Sequence, residues 1–189
     1  MHLERLAAPP ASVGGAPLDA VEVLARFVAM RDVRGATTAC GAVAKARFDD
    51  RVVESARAVA VALDALALAT AREGGDALGA RAARVIAACA RGRRFREDAF
   101  GSRAATRCVA AFAERRRGEG AATASALALA AIGSEESFEA LVMLARSGVG
   151  AVAFETPSSA LEYAYAHAYG VAAERASGTA AASALLEAW

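Results

Sequence analysis

Alanine-rich stretches, cut at short intervals by glycine, proline and aspartate, leave this chain of 189 residues one regular structure to adopt, the α-helix. Alanine has the best helix propensity because ordering it costs no side-chain entropy. The valines stand among alanines instead of in alternating apolar–polar runs, so no strand is predicted. The apolar fraction is 56%, while aromatic residues make up only 6%. Small side chains let helices approach closely.

The breakers divide the chain. Residues 1–16 hold Pro9, Pro10, Gly14 and Gly15 and read as a flexible arm, with 17–189 as a single domain. Pro17 suits the first turn of a helix, where its missing N–H is harmless. That helix carries Leu18, Val21, Leu24 and Val28 and is expected to end near Arg34 and Gly35. A short helix is predicted over 36–46 and a long one over 50–73, with Val52, Val59, Leu63 and Leu66 on its apolar face. Asp76 reads as the cap of a helix running to about Arg91. One turn over 95–100 precedes a helix over 103–117 capped by Ser102. Further helices span 121–132 and the segment after Ser134, the latter with Phe138, Leu141, Val142 and Ala145 inward. Thr156-Pro157-Ser158 signals another start. The helix after it holds Tyr163, Tyr165, His167 and Tyr169, read as structural, and a short last helix ends at Trp189.

A pattern recurs through this series. An alanine-rich helix leads into a turn holding phenylalanine and acids, and then into another helix. Ala39–Asp50, Ala83–Asp98 and Ala126–Phe138 are three copies, and Ala42, Ala87 and Ala130 anchor them at spacings of 45 and 43. A period of 40 to 47 residues is that of armadillo and HEAT repeats. Residues 126–148, Ala-Leu-Ala-Leu-Ala-Ala through a turn into Phe-Glu-Ala-Leu-Val-Met-Leu-Ala-Arg-Ser-Gly, resemble the armadillo family well. Residues 82–116 do so moderately, and 36–73 loosely, because the second helix there is too long. The resemblance implies an all-α, right-handed α-solenoid of about four armadillo/HEAT-like repeats. The alternative is an irregular alanine-rich helical bundle. The groove asparagine common in the family has no counterpart, since the chain contains no Asn, so the family's extended-peptide clamp is not implied. Each repeat of a solenoid buries its apolar face only against its neighbours, which leaves long surfaces for partners.

Charge is segregated. Residues 81–117 hold 11 arginines and three acids, a net of +8, against −7 for the rest of the chain. The overall net of +1 conceals this local field. Arg91, Arg93, Arg94 and Arg96 crowd one turn, and Arg115, Arg116 and Arg117 end the next helix. These seven are the candidate partner-binding residues. A helix C-terminus favours cations in any case, so the second group has a structural explanation as well. Lys45 is the only lysine, and Gln is absent along with Asn. These biases favour GC-rich codons, which also weakens arginine abundance as a sign of nucleic-acid binding. Phe95 and Phe100 lie close by, and their helical spacing places them in the core.

Chemistry finds little footing. GxSxG, HExxH, P-loop and GxGxxG patterns are all missing. The acid pairs Asp49/Asp50 and Glu135/Glu136 sit at helix starts, and adjacent helical residues do not face each other. Neither pair makes an acid–base dyad. Cys40, Cys89 and Cys108 are widely spaced without a CxxC pair and read as small core hydrophobes, consistent with a reducing, intracellular compartment. No signal peptide or membrane span is read. The expectation is a non-catalytic protein–protein interaction scaffold or accessory subunit, without cofactor or metal, binding a partner with an acidic surface. The alternative is a nucleic-acid- or anion-binding helical module using residues 91–117.

Overall fold

The computed structural model describes residues 17–47, 49–116, 118–146 and Gly170. The expected arm over 1–16, the helix after Thr156, the aromatic helix with His167 and the final helix to Trp189 lie outside the described residues, as does Arg117. Among the described residues the protein is all-α, with nine helices and no strand: α1 (Pro17–Ala29), α2 (Val33–Lys45), α3 (Asp50–Val53), α4 (Ala56–Ala71), α5 (Asp76–Cys89), α6 (Arg93–Glu97), α7 (Ala99–Arg115), α8 (Glu119–Ile132) and α9 (Glu135–Arg146).

Three boundaries differ from the sequence expectation, each for a local reason. The first helix stops five residues early, at Ala29. Arg31 takes a left-handed φ of 55°, Arg31 N–H donates to the Val28 carbonyl and Asp32 N–H to that of Phe27, each at 3.0 Å. This is a Schellman ending with arginine where glycine is usual. Asp32 then caps α2 by accepting from Gly35 N–H at 3.0 Å, so Gly35 lies inside a helix and does not end one. The long helix over 50–73 is two helices: Ser55 breaks it and caps α4 by accepting from Ala58 N–H at 3.1 Å. Finally, Asp98, not Ser102, caps the helix ending at Arg115. Ser102 lies inside α7, its carbonyl accepting from the Thr106 hydroxyl. The start of α9 is as expected. Ser134 and Ser137 cap each other's backbone N–H groups at 3.1 and 2.9 Å, a reciprocal box with serine in the usual glutamate position.

With these boundaries the recurrence sharpens. α2, α5 and α8 begin at residues 33, 76 and 119, α3 and α6 at 50 and 93, and α4 and α7 at 56 and 99, all at an interval of 43. Equivalent positions share burial: Val43, Ile86 and Leu129 are buried, and so are Val52, Phe95 and Phe138. The third unit departs from the pattern, because α9 runs on where the earlier units break between a short and a long helix. Packing follows chain order. α1 pairs with α2, α4 with α5, and α7 with α8. α2 also packs on α5, and α5 on α8, while α1 meets α4, α4 meets α7, and α7 meets α9.

The core is built largely of alanine. α5 and α8 bury Ala82, Ala83, Ala88, Ala122, Ala124, Ala126 and Ala128, with Leu78, Ile86 and Leu129 between them. In α4 the inner face is Ala58, Val61, Ala62, Ala65, Leu66 and Ala69. Val59 and Leu63, expected on that face, are only half-buried. Gly79 marks the tightest approach: a Cβ there would lie 2.0 Å from Cε2 of Phe112, a fully buried ring on α7. Arg81 reaches from α5 to donate to the Thr37 carbonyl of α2 at 2.7 Å, over the face left open by Gly41.

Two stability changes of opposite sign are expected. Gly79→Ala gains about 1 kcal/mol in helix propensity, but the clash with Phe112 costs roughly 1–3 kcal/mol. Net destabilisation in urea titration is expected, and it should shrink in a Phe112→Leu background. Ser125 is fully buried and its hydroxyl has no hydrogen-bond partner, at a position equivalent to Ala82. Ser125→Ala removes that unsatisfied group and should stabilise by roughly 1 kcal/mol. An unchanged or lower denaturation midpoint would contradict this.

Candidate partner-binding site

The site is best built from the acid that holds it. Glu54 ends α3, and its carboxylate reaches across to the next unit. Oε1 accepts from Arg93 N–H at 2.8 Å and Oε2 from Arg94 N–H at 3.0 Å. Gly92 precedes α6 without a side-chain cap, so Glu54 supplies the cap from 39 residues away. Gly92 leaves room for this, since a Cβ there would meet Val53 O at 2.8 Å and Glu54 Oε1 at 3.1 Å. The backbone N–H groups of Arg94 and Arg93 hold the Glu54 carboxyl below its usual range. Phe95 is buried beneath, so α6 is pinned from both sides.

The seven candidate arginines do not share one role. Arg91, Arg93, Arg94 and Arg96 are exposed on and around α6. Arg93 pairs with Glu97 at 3.5 Å, one turn along. Arg96 folds back to donate to the Gly92 carbonyl at 3.4 Å. The Arg94 side chain has no ion pair with another described residue. Arg115 is exposed at the end of α7. Arg116 is different. Its side chain is only 19% exposed, and its guanidinium donates to the carbonyls of Ala69, at 3.1 Å, and Arg72, with Asp76 at 3.5 Å. A cation thus closes the negative end of α4. Arg116 binds the fold together and does not face a partner. Arg117 lies outside the described residues, so the second arginine group leaves Arg115 alone as an exposed candidate.

Two clefts flank α6. One, of about 650 Å³, lies between the start of α7 and the α8–α9 turn and is bordered by Arg96, Arg103, Ser102, Ser134 and Glu136. Arg103 and Glu136 pair across it at 2.9 Å. The other, of about 310 Å³, runs between α4 and the α6–α7 corner and is mainly apolar, with Val59, Leu63, Ala104 and Phe100 in its walls and Arg94, Glu54 and Asp98 among its polar groups. Phe100, expected in the core, is 84% exposed. It follows the Asp98 cap by two residues, on the outer side of α7. The signal was present in the 43-residue register, which aligns Phe100 with the exposed Arg57 and Asp98 with the capping Ser55. Glu54 and the groove went unread because both depend on contacts between units.

Reactive chemistry is sparse among the described residues. No group of three or more His, Cys, Asp or Glu side chains is placed to hold a metal ion. Burial pushes the thiols of Cys40 and Cys89 up to about 12, and it raises Cys108 as well. These thiols are unreactive protonated groups near neutral pH. No described helix is long and apolar enough to cross a membrane. Comparison of the chain with protein-family models, with curated proteins and with solved structures finds no match.

Two tests separate fold from surface. Arg116→Ala strands the α4 carbonyls it now binds and should destabilise by about 1.5–3 kcal/mol, the range for hydrogen bonds to a charged group, whereas Arg115→Ala should leave the melting temperature unchanged. For Glu54 the sign follows from its lowered pKa. Its contribution is complete above the ordinary carboxylate pKa and is lost as pH falls through the lower folded value. Glu54→Gln should therefore lower stability at neutral pH and flatten the acid limb of the stability–pH curve, as followed by thermal melts between pH 3 and 7.

Proposed function

We propose that this chain is a right-handed α-solenoid of armadillo/HEAT-like repeats, about four in number, serving as a non-catalytic protein-interaction scaffold or accessory subunit of a larger assembly. The 43-residue interval of the helices and their packing in chain order support the repeat reading, since each unit then buries its apolar face against the next. The arginine turn of α6 is the contact that meets an acidic protein surface.

The observation that carries the binding role is the fixed display of α6. A five-residue helix has little stability of its own. Here it is held by Phe95 below and Glu54 at its start, while Arg93, Arg94 and Arg96 point their charge to solvent. Holding such a turn in one conformation lowers the ordering cost of association. A phosphodiester backbone is a poorer fit than a protein, because Glu54, Glu97 and Asp98 lie among these arginines and repel phosphate.

Changing Arg93, Arg94 and Arg96 together to Glu should weaken partner binding by tenfold or more, about 1.4 kcal/mol, with helical circular dichroism intact. Co-purification in low salt, with protein and nucleic acid both identified, provides the readout. Unchanged recovery of the protein partner by the triple variant would sink the role given to this turn. Recovery of nucleic acid alone, lost as salt rises, would favour the nucleic-acid module instead.

A further inference from the structure

We infer that the groove between α4 and the α6–α7 corner is a peptide-docking site, and that its occupant is a partner segment carrying one large apolar anchor flanked by carboxylates. This deepens the scaffold reading and rests on it.

The groove has the shape and the walls for an anchor. Its volume of about 310 Å³ is at the small end for a ligand site, suited to one or two side chains rather than a cofactor. Val53, Val59, Ala60, Leu63 and Ala104 give it apolar walls, and Val59 and Leu63 are half-buried, not sealed in the core. Phe100 stands in its wall at 84% exposure, the most exposed of the large hydrophobic side chains described. An exposed aromatic ring over an apolar cleft is the usual form of an interface hot spot.

Charge selects the flanks of the anchor. The carboxylates that border the groove are already engaged by the fold. Glu54 accepts from the backbone of Arg93 and Arg94, and Asp98 accepts from Gly101 N–H at 2.8 Å. The Arg94 guanidinium on the same border has no ion pair with a described residue. The positive N-terminal ends of α4 and α7, at Ala56 and Gly101, also line the groove. A carboxylate beside the anchor would meet Arg94 and these helix ends, whereas a lysine there would be repelled. A guanidinium adjoining an apolar cleft also provides bidentate geometry for carboxylate.

The test is selection of a random dodecapeptide display library on the full chain, followed by affinity measurement with the synthetic peptides recovered. The expected result is enrichment of sequences with Phe, Leu or Trp beside Asp or Glu. Their binding should weaken about tenfold or more in Phe100→Ser and in Arg94→Ser, the loss of an anchor contact, and remain unchanged in Arg115→Ser. Both substituted side chains are exposed, so melting temperatures should match the parent and separate lost binding from lost folding. Failure to enrich such peptides, or binding indifferent to Phe100→Ser and Arg94→Ser, overturns the groove assignment. So does a concentration-dependent dimer that Phe100→Ser dissolves, since a second copy would then be the occupant. The scaffold reading would survive any of these if the triple arginine variant still lost its protein partner.

Discussion

The close approach of helices around α5 is the constraint on which the other contacts depend. α5 touches α2, α4 and α8, and it can do so because it presents glycine and alanine where most core helices present leucine. Dispersion falls steeply with separation, so small side chains that bring backbones together recover in proximity what they lack in area. Gly79 shows the limit: Phe112 occupies the space where its Cβ would be. The few large side chains, Phe112 and Leu66 among them, fill what the alanines leave open.

Bonds between units then convert this packing into a defined surface. Glu54 of one unit caps the short helix of the next, Arg81 bonds the backbone of α2, and Arg116 closes the end of α4. Each joins residues about 40 or more apart. Three of these four ionisable contacts sit in the basic segment 81–117, so its excess charge has two destinations. Arg81 and Arg116 hold units together. Arg93, Arg94 and Arg96 face solvent on a turn whose backbone cannot wander.

The helical class and most helix spans were legible because alanine propensity and glycine breaks act locally. The misplaced boundaries all involve substitution of one capping residue type for another. Arg31 adopts the left-handed conformation that glycine normally takes, so the eye passes over it to Gly35. Ser55 and Asp98 look like ordinary polar positions until the 43-residue register sets them side by side. The arginine turn was legible as a charge cluster, but the division of labour within it was not. Nothing in Arg115-Arg116-Arg117 tells that the middle residue turns inward, because its acceptors are carbonyls at residues 69 and 72. Phe100 was placed in the core by its aromatic character, whereas the Asp98 cap sets it on the outer face.

The alanine core also sets how this gene can change. Every codon for alanine has the form GCN, and single-base changes lead to Val, Thr, Ser, Pro, Asp, Glu or Gly. All but glycine add atoms, in a core where added atoms meet a neighbouring backbone. A core of leucine and isoleucine decays mainly by losing volume and leaving cavities. This one is exposed to the opposite hazard, in which most replacements are too large. Divergent copies should therefore hold alanine at the α5–α8 contact long after their surfaces, and even their outer helices, have drifted beyond recognition.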